Sequence, residues 1–220
     1  VGIVRFATLS DGAFYRPLNS FKRHQTRLRQ AQQSMSRKKK RSRNWNKAKA
    51  RLQRLYVRIS RAQADYLHKL TTSLSKNHAR VCLEDLQVRK MSRSAAGTRE
   101  APGRRAGAKS ALNRAILDQG WSEFRRQLAY KLEWRGGRLD LVSPQNTSRT
   151  CPRCGHVSKH NRPTQPRFDC MACGPQAHAD LVGAINVPRG GHARLACEVS
   201  GAAMPPAAGT HRSDSLMRTA

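Results

Sequence analysis

Four cysteines, Cys151, Cys154, Cys170 and Cys173, constrain this chain more than any other residues. They read Cys-Pro-Arg-Cys-Gly and Cys-Met-Ala-Cys-Gly on either side of a basic loop. The pattern is C-x2-C, fifteen residues, then C-x2-C, a zinc-ribbon spacing. Two residues between cysteines let consecutive backbone N–H groups turn toward one metal, and Gly155 and Gly174 stand where such a knuckle needs positive φ. Four thiolates close a tetrahedral site with no open position, so the predicted Zn²⁺ is structural. Free or disulfide-bonded cysteines are the alternative. His156 and His160 compete as ligands, but with four thiolates available they read as loop residues that approach nucleic acid.

Around this clip the chain is strongly basic. Its 220 residues include 43 Lys and Arg against 13 Asp and Glu, a formal charge of +30. Such a chain repels itself, and a polyanion is the expected partner. Only 38% of residues are hydrophobic, which limits the core and suggests that part of the chain lies exposed on that partner. A membrane surface is the competing reading, but no apolar run approaches the roughly 20 residues of a spanning helix and no signal peptide opens the sequence. An intracellular, cytoplasmic protein is expected. Cys82 and Cys197 are then free thiols in a reducing compartment.

From the amino end, residues 1–9 alternate apolar with small or polar side chains, and Ser10-Asp11-Gly12 before Ala13-Phe14-Tyr15 predicts a hairpin. Residues 20–74 are helical in pattern, with a break at the basic run 36–43. In the second helix Leu52, Leu55, Ile59, Ala62, Tyr66, Leu70 and Leu74 recur at three- and four-residue steps, a narrow apolar stripe on which two helices pack as an antiparallel arm. The opposite faces carry Arg and Lys with few acidic partners, which favours phosphate binding over a solvated face. Trp45 and Tyr56 either stack on bases or close the hairpin.

Residues 79–86 form a short strand with Glu84 and Asp85 at its carboxyl end, where α/β sheets place ligands. Taken alone, a Glu-Asp pair is more often a turn or a cap. Residues 89–109 read as a mobile basic loop. A helix capped by Ser110 is predicted to run to Trp134, kinked at Gly120, with Leu112, Ile116, Trp121, Phe124, Leu128 and Leu132 inward and Arg125, Arg126 and Lys131 outward. Gly136-Gly137 stops it, a strand follows over 138–143, and after the ribbon Asp180 opens a short helix to Val187, whose first turn favours a carboxylate.

In this order the segments resemble the TnpB (OrfB) proteins of bacterial insertion sequences, relatives of the type V CRISPR effectors. The resemblance rests on Leu83-Glu-Asp-Leu86, Trp121-Ser-Glu-Phe-Arg-Arg-Gln-Leu-Ala-Tyr-Lys131, Pro144-Gln-Asn-Thr-Ser148, the two cysteine knuckles, and Ala179-Asp-Leu-Val-Gly-Ala-Ile-Asn186. It covers roughly residues 1–190. It implies an α/β fold: an RNase H-like (RuvC-type) mixed sheet with a basic helical arm and an inserted zinc ribbon. The core spans 1–143 with the arm at 20–75, the ribbon 144–178, a last core helix 179–187 and a disordered tail 188–220.

The family's nuclease site uses an Asp on the first strand, a Glu on a later strand and an Asp after the ribbon. By motif Glu84 matches the second and Asp180 the third. Such carboxylates hold Mg²⁺ ions about 4 Å apart for phosphodiester hydrolysis. The first Asp stands in an Asp-x-Gly step that Val1-Gly2 would complete, so the expectation is a carboxyl-terminal half, poor in cleavage. Val182 departs from an Asn often found there. The implied function is a transposon-associated, RNA-guided DNA endonuclease, with DNA and a guide RNA as partners and a nucleoid location. The competing reading is a non-catalytic zinc-ribbon protein that binds DNA or RNA.

Overall fold

The computed structural model describes residues 1–198 and 218–219. In chain order the elements are β1 (Ala7–Thr8), β2 (Phe14–Tyr15), α1 (Ser20–Ser36), α2 (Arg43–Asn77), β3 (Arg80–Glu84), α3 (Val88–Met91), α4 (Ala106–Gln119), α5 (Trp121–Glu133) and β4 (Arg138–Val142). A 3₁₀ turn (Lys159–Asn161), β5 (Arg167–Asp169), β6 (Gln176–His178), α6 (Ala179–Glu198) and β7 (Arg218–Thr219) follow. They assemble into two compact units. One comprises Val1–Pro17, Thr72–Gln87 and Arg125–Ala220; the other comprises Leu18–Thr71 and Val88–Phe124.

In the first unit the Asp-Gly cue folds as expected. β1 and β2 pair antiparallel with Ala7 opposite Tyr15 and Thr8 opposite Phe14. Gly12 takes φ 92°, and the Ala13 N–H donates to Asp11 Oδ1 at 2.9 Å. The ladder is shorter than the alternation over 1–9 predicts, because the Gly2 N–H donates back to the Phe6 carbonyl at 3.1 Å and folds the first residues into a bend. The free edge of β2 is covered by β7, with Tyr15 opposite Arg218, so these two residues of the predicted tail are ordered on a strand edge that offers unpaired backbone groups. β3 and β4 form a separate parallel pair in which Glu84 faces Val142. The fold is thus a mixture of helices with antiparallel and parallel strands.

α6 packs against both β3 and β4. It runs to Glu198, through Pro188, whereas Val187-Pro188 reads as its stop. Proline removes one helical hydrogen bond, and contacts beyond it hold the next turn. A Cβ on Gly190 would stand 2.9 Å from Val142 Cγ1, so glycine lets the helix lie flat on β4, and the Arg189 guanidinium donates to the Pro152 carbonyl. Residues 199–217 and 220 of the predicted disordered tail, and the side chain of Cys197, lie outside the described residues.

The second unit holds the helical arm, broken where the basic run predicts. Leu28 of α1 packs with Leu52 and Ile59 of α2, joined by Phe21, Ala31, Met35 and Leu55. Ser20 Oγ donates to the Ile59 carbonyl at 3.1 Å, and Gln32 Nε2 donates to Tyr56 Oη at 3.0 Å; Tyr56 thus spans the two helices. Ala62 is exposed. The inward position of that turn belongs to Gln63, whose amide donates to the Asp118 carbonyl at 2.8 Å, and Leu67, buried beside the predicted stripe, widens it.

The helix predicted from Ser110 to Trp134 is two helices. Gly120 adopts φ 71° and ends α4. A Cβ there would stand 2.9 Å from Gln63 Nε2 and 3.1 Å from Leu67 Cδ1, so the residue is both left-handed and crowded, which is a break and not a kink. Leu112 is exposed, against expectation, while Ile116, Trp121, Phe124, Leu128 and Leu132 are buried. Lys131, predicted to face outward, is 8% exposed and donates to Thr72 Oγ1 at 2.8 Å. Burial, with Arg135 nearby, lowers its pKa from the usual lysine value. The loop expected to be mobile contains α3 and a turn closed by a Gly97–Pro102 bridge. Lys109 Nζ donates to the Met91 carbonyl at 2.6 Å and ties that loop to α4.

Candidate functional site

The four cysteines converge. One Sγ from each of Cys151, Cys154, Cys170 and Cys173 lies within 4.8 Å of the others, and neighbouring sulfurs are 3.6 Å apart. A tetrahedron with arms of about 2.3 Å has edges of about 3.8 Å, so the thiols fit one metal ion. Each knuckle closes in the same way. The Gly155 and Gly174 N–H groups donate to the Cys151 and Cys170 carbonyls at 3.0 Å, and the Cys151 and Cys170 N–H groups donate to the His156 and Pro175 carbonyls. Gly155 and Gly174 have φ 76° and 79°, as the spacing requires. Burial raises the Cys170 thiol, but the backbone N–H groups of Cys173 and Ala172 and the thiols of Cys151 and Cys173 outweigh it and bring the pKa to about 6. His156 and His160 are exposed and stand outside the cluster.

Asn161, which sequence reasoning missed, locks the two knuckles together. It is fully buried; its amide donates to the Arg149 and His156 carbonyls at 2.9 and 3.1 Å, and its Oδ1 accepts the Met171 N–H at 3.0 Å. The 3₁₀ turn that presents it is capped by Ser158, whose Oγ accepts the His160 N–H. A polar residue in a basic loop carries no sequence signal of burial. The ribbon in turn rests on α6: Cys151, Phe168 and Cys170 pack with Ala179 and Val182, and the Ala179 N–H donates to the Pro166 carbonyl at 2.7 Å. Val182, the departure from the family pattern, is an apolar contact in this joint.

Glu84 ends β3 with its side chain 18% exposed. Its Oε2 lies 3.2 Å from the Val1 nitrogen, and its Oε1 lies 3.2 Å from Thr147 Oγ1, which also stands 3.1 Å from the Pro144 carbonyl. Asp85 turns instead to Arg125, with Nη1 2.6 Å from Oδ1. Asp180 sits in the first turn of α6, half-buried; its N–H donates to His178 Nδ1 at 3.2 Å, and its carboxylate lies 3.8 Å from the same nitrogen. Thr147 is a second residue that sequence reasoning missed. Its hydroxyl faces Glu84, while its carbonyl accepts the Asn186 amide at 2.8 Å. Asn186 also donates to the Thr150 carbonyl at 2.7 Å. The turn after Pro144, with Asn146 at φ 59°, therefore links the Glu84 strand, the Asp180 helix and the ribbon. Among the described residues the four cysteines are the one His, Cys, Asp and Glu group of three or more that could hold a metal, and neither Glu84 nor Asp180 belongs to such a group.

In the second unit Arg43, Lys47, Arg51, Arg54, Arg58 and Arg61 are all exposed on α2. At 100° per residue they fall in a sector of about 80° along roughly 27 Å of helix. No ion pair joins any of them to a carboxylate among the described residues. Such a face attracts a phosphate backbone. Among the described residues no helix is long and apolar enough to cross a membrane.

These features define a class: proteins that carry a four-thiolate ribbon beside a half-buried carboxylate at a strand end. Two family models match. Residues 1–95 fit OrfB_IS605, described as "Probable transposase", and residues 121–187 fit the "Cas12f1-like, TNB domain". The chain is 54% identical over 196 residues to "Putative RNA-guided DNA endonuclease InsQ" of Escherichia coli, covering 89% of this chain and 49% of that protein. It is 33% identical over 197 residues to "Putative RNA-guided DNA endonuclease" of Streptomyces pristinaespiralis, covering 89% and 45%. The chain belongs to the TnpB (OrfB) family. It spans about half the length of these curated relatives. Its fold is shared with the cryo-EM structure of a Cas12f1-sgRNA-target DNA complex, with a TM-score of 0.51 at 17% identity over 85% of this chain and 47% of that one.

Proposed function

We propose that this chain supplies the nuclease core and ribbon of a transposon-associated, RNA-guided DNA endonuclease acting in the bacterial cytoplasm at the nucleoid. The observation that carries the reading is the Thr147 bridge. The turn meets Glu84 at the end of β3 through the Thr147 hydroxyl and Asn186 of α6 through the Thr147 carbonyl, and α6, which opens with Asp180, packs against β3; this supports a divalent ion shared by Glu84 and Asp180. On this reading the core is RNase H-like, of RuvC type, and Glu84 and Asp180 hold Mg²⁺, an ion that keeps several waters and needs only one or two carboxylates. The bound ions would supply an activated water and stabilise the leaving oxygen. Zn²⁺ in the cysteine site is structural, because four thiolates leave no open position.

The chain's own residues divide the remaining tasks. Thr147 orients Glu84, and the ribbon fixes the first turn of α6 and so the Asp180 backbone. The basic face of α2 holds phosphates of DNA or of a guide RNA, whose pairing would read sequence. The Val1 nitrogen lies 3.2 Å from Glu84 Oε2, so an aspartate attached ahead of Val1 would stand beside Glu84, where the resemblance puts the family's first Asp.

The reading is tested with the chain carrying one aspartate ahead of Val1, incubated with supercoiled plasmid and Mg²⁺. Nicking that Glu84→Gln and Asp180→Asn each abolish supports it. Nicking that survives both substitutions contradicts it. The 220-residue chain itself is expected to bind DNA and RNA with steep salt dependence and to cut little. Binding without any Mg²⁺-dependent cleavage, in the extended chain as well, would favour a non-catalytic ribbon protein.

A further inference from the structure

The buried stripe of α5 is complete with Trp121, Phe124, Leu128 and Leu132. On another face of the same helix Arg126 and Tyr130 follow at four-residue spacing and lead to Trp134, just past its end. The Arg126 guanidinium carbon lies 5.6 Å from the Tyr130 ring centre. The Tyr130 and Trp134 rings stand 4.7 Å apart, inclined at 62°. The Trp134 N–H donates to the Tyr130 carbonyl at 3.0 Å, which fixes the last turn. Trp134 is nevertheless 78% exposed, whereas Trp121 is 6% exposed. The indole is therefore held in place from one side and open to solvent on the rest, and it adds nothing to the core.

We infer that Arg126, Tyr130 and Trp134 form a stacking platform for an unpaired nucleobase of a single-stranded nucleic acid. The occupant follows from the chemistry. An open indole backed by a second ring offers a π-face, which every base can meet. The +30 charge of the chain, with Arg126 in the ladder and exposed Arg135 close in sequence, matches the phosphates that accompany a base; Arg138 is paired with Asp140. Glu133 lies about 100° away around the helix axis and does not belong to the ladder. An apolar protein partner would be offered a wider apolar surface than one indole and one half-buried phenol ring. The proposal rests on the nucleic-acid reading above and adds to it a site that recognises bases and not phosphates.

The test is fluorescence anisotropy with two labelled single-stranded DNA dodecamers, oligothymidylate and the same backbone with abasic residues, using the 220-residue chain. The wild type is expected to bind oligothymidylate more tightly, and Trp134→Ala to weaken that binding by about 5- to 140-fold, the range for loss of one stacked base. Binding to the abasic strand should be unchanged by the substitution, and Trp134→Phe should recover part of the loss. Equal binding of both strands by the wild type, or an unaffected Trp134→Ala variant, overturns the platform while leaving phosphate binding intact. Failure of the wild type to bind either strand overturns the nucleic-acid reading itself. A dimer in sedimentation velocity that Trp134→Ala dissociates would make a second copy of the chain the occupant and would also overturn the proposal.

Discussion

Removing the Asn161 side chain should cost the ribbon its metal affinity before it costs the rest of the chain its fold. Asn161 makes three hydrogen bonds from a fully buried position, two as donor to the Arg149 and His156 carbonyls and one as acceptor from the Met171 N–H. A net intramolecular hydrogen bond contributes about 0.5–1.5 kcal/mol. Both carbonyls keep another donor, the Ser158 N–H at 3.5 Å for Arg149 and the Cys151 N–H at 2.9 Å for His156, so Asn161→Ala is placed at about 2–3 kcal/mol. Metal binding and ribbon folding share one free energy, and the loss should appear as about 30- to 140-fold weaker zinc binding in competition with a chromophoric chelator. Asn161→Asp keeps the acceptor toward Met171 but turns carboxylate oxygen toward two carbonyls, and should lose more than alanine at neutral pH. An Asn161→Ala affinity within about threefold of wild type, or an aspartate variant that binds better than alanine, would refute this account of how the knuckles are coupled.

Four further outcomes are expected. Leu128→Ala removes a fully buried side chain and should lower stability by about 2–5 kcal/mol in urea unfolding; a loss under about 1 kcal/mol would mean the site collapses freely. Gly120→Ala forces a side chain into a left-handed residue, costing about 1–2 kcal/mol, and crowds Gln63 and Leu67; unchanged stability in the same assay would show that α4 and α5 can merge. Replacing Arg51, Arg54 and Arg58 together by Gln should leave the melting temperature unchanged and reduce the slope of log K against log salt by about two to three; an unaltered slope would remove the α2 face from the interface. Thr147→Val should weaken Mn²⁺ binding at Glu84 while Thr147→Ser retains it, and equal behaviour of the two variants would deny the hydroxyl its orienting role.

The elements most legible in the sequence are those with strong periodicity or fixed spacing. The cysteine pairs, their glycines at positive φ, the two arm helices and the Asp-Gly hairpin follow from local chemistry alone. The misplaced elements were decided by contacts that no local pattern carries. Gly120 reads as a kink until Gln63 and Leu67 are seen crowding it, and Pro188 reads as a stop until Gly190 is found flat against β4. Lys131 reads as exposed because a buried lysine needs a partner, here Thr72, that lies far away in sequence. At the site, Glu84 is only a weak candidate from its place at a strand end, and its nuclease role, like that of Asp180, comes through resemblance. Thr147 and Asn186, which bridge the Glu84 strand to the Asp180 helix, are ordinary polar residues whose role exists only once the turn after Pro144 is folded.

The central claim, that Glu84 and Asp180 share one divalent ion, is tested most directly by Mn²⁺ binding to the zinc-loaded chain followed by electron paramagnetic resonance. The account predicts a single site that disappears with Glu84→Gln and equally with Asp180→Asn, while the zinc content stays constant. A site that either substitution leaves intact, or two sites lost one by one, would contradict it.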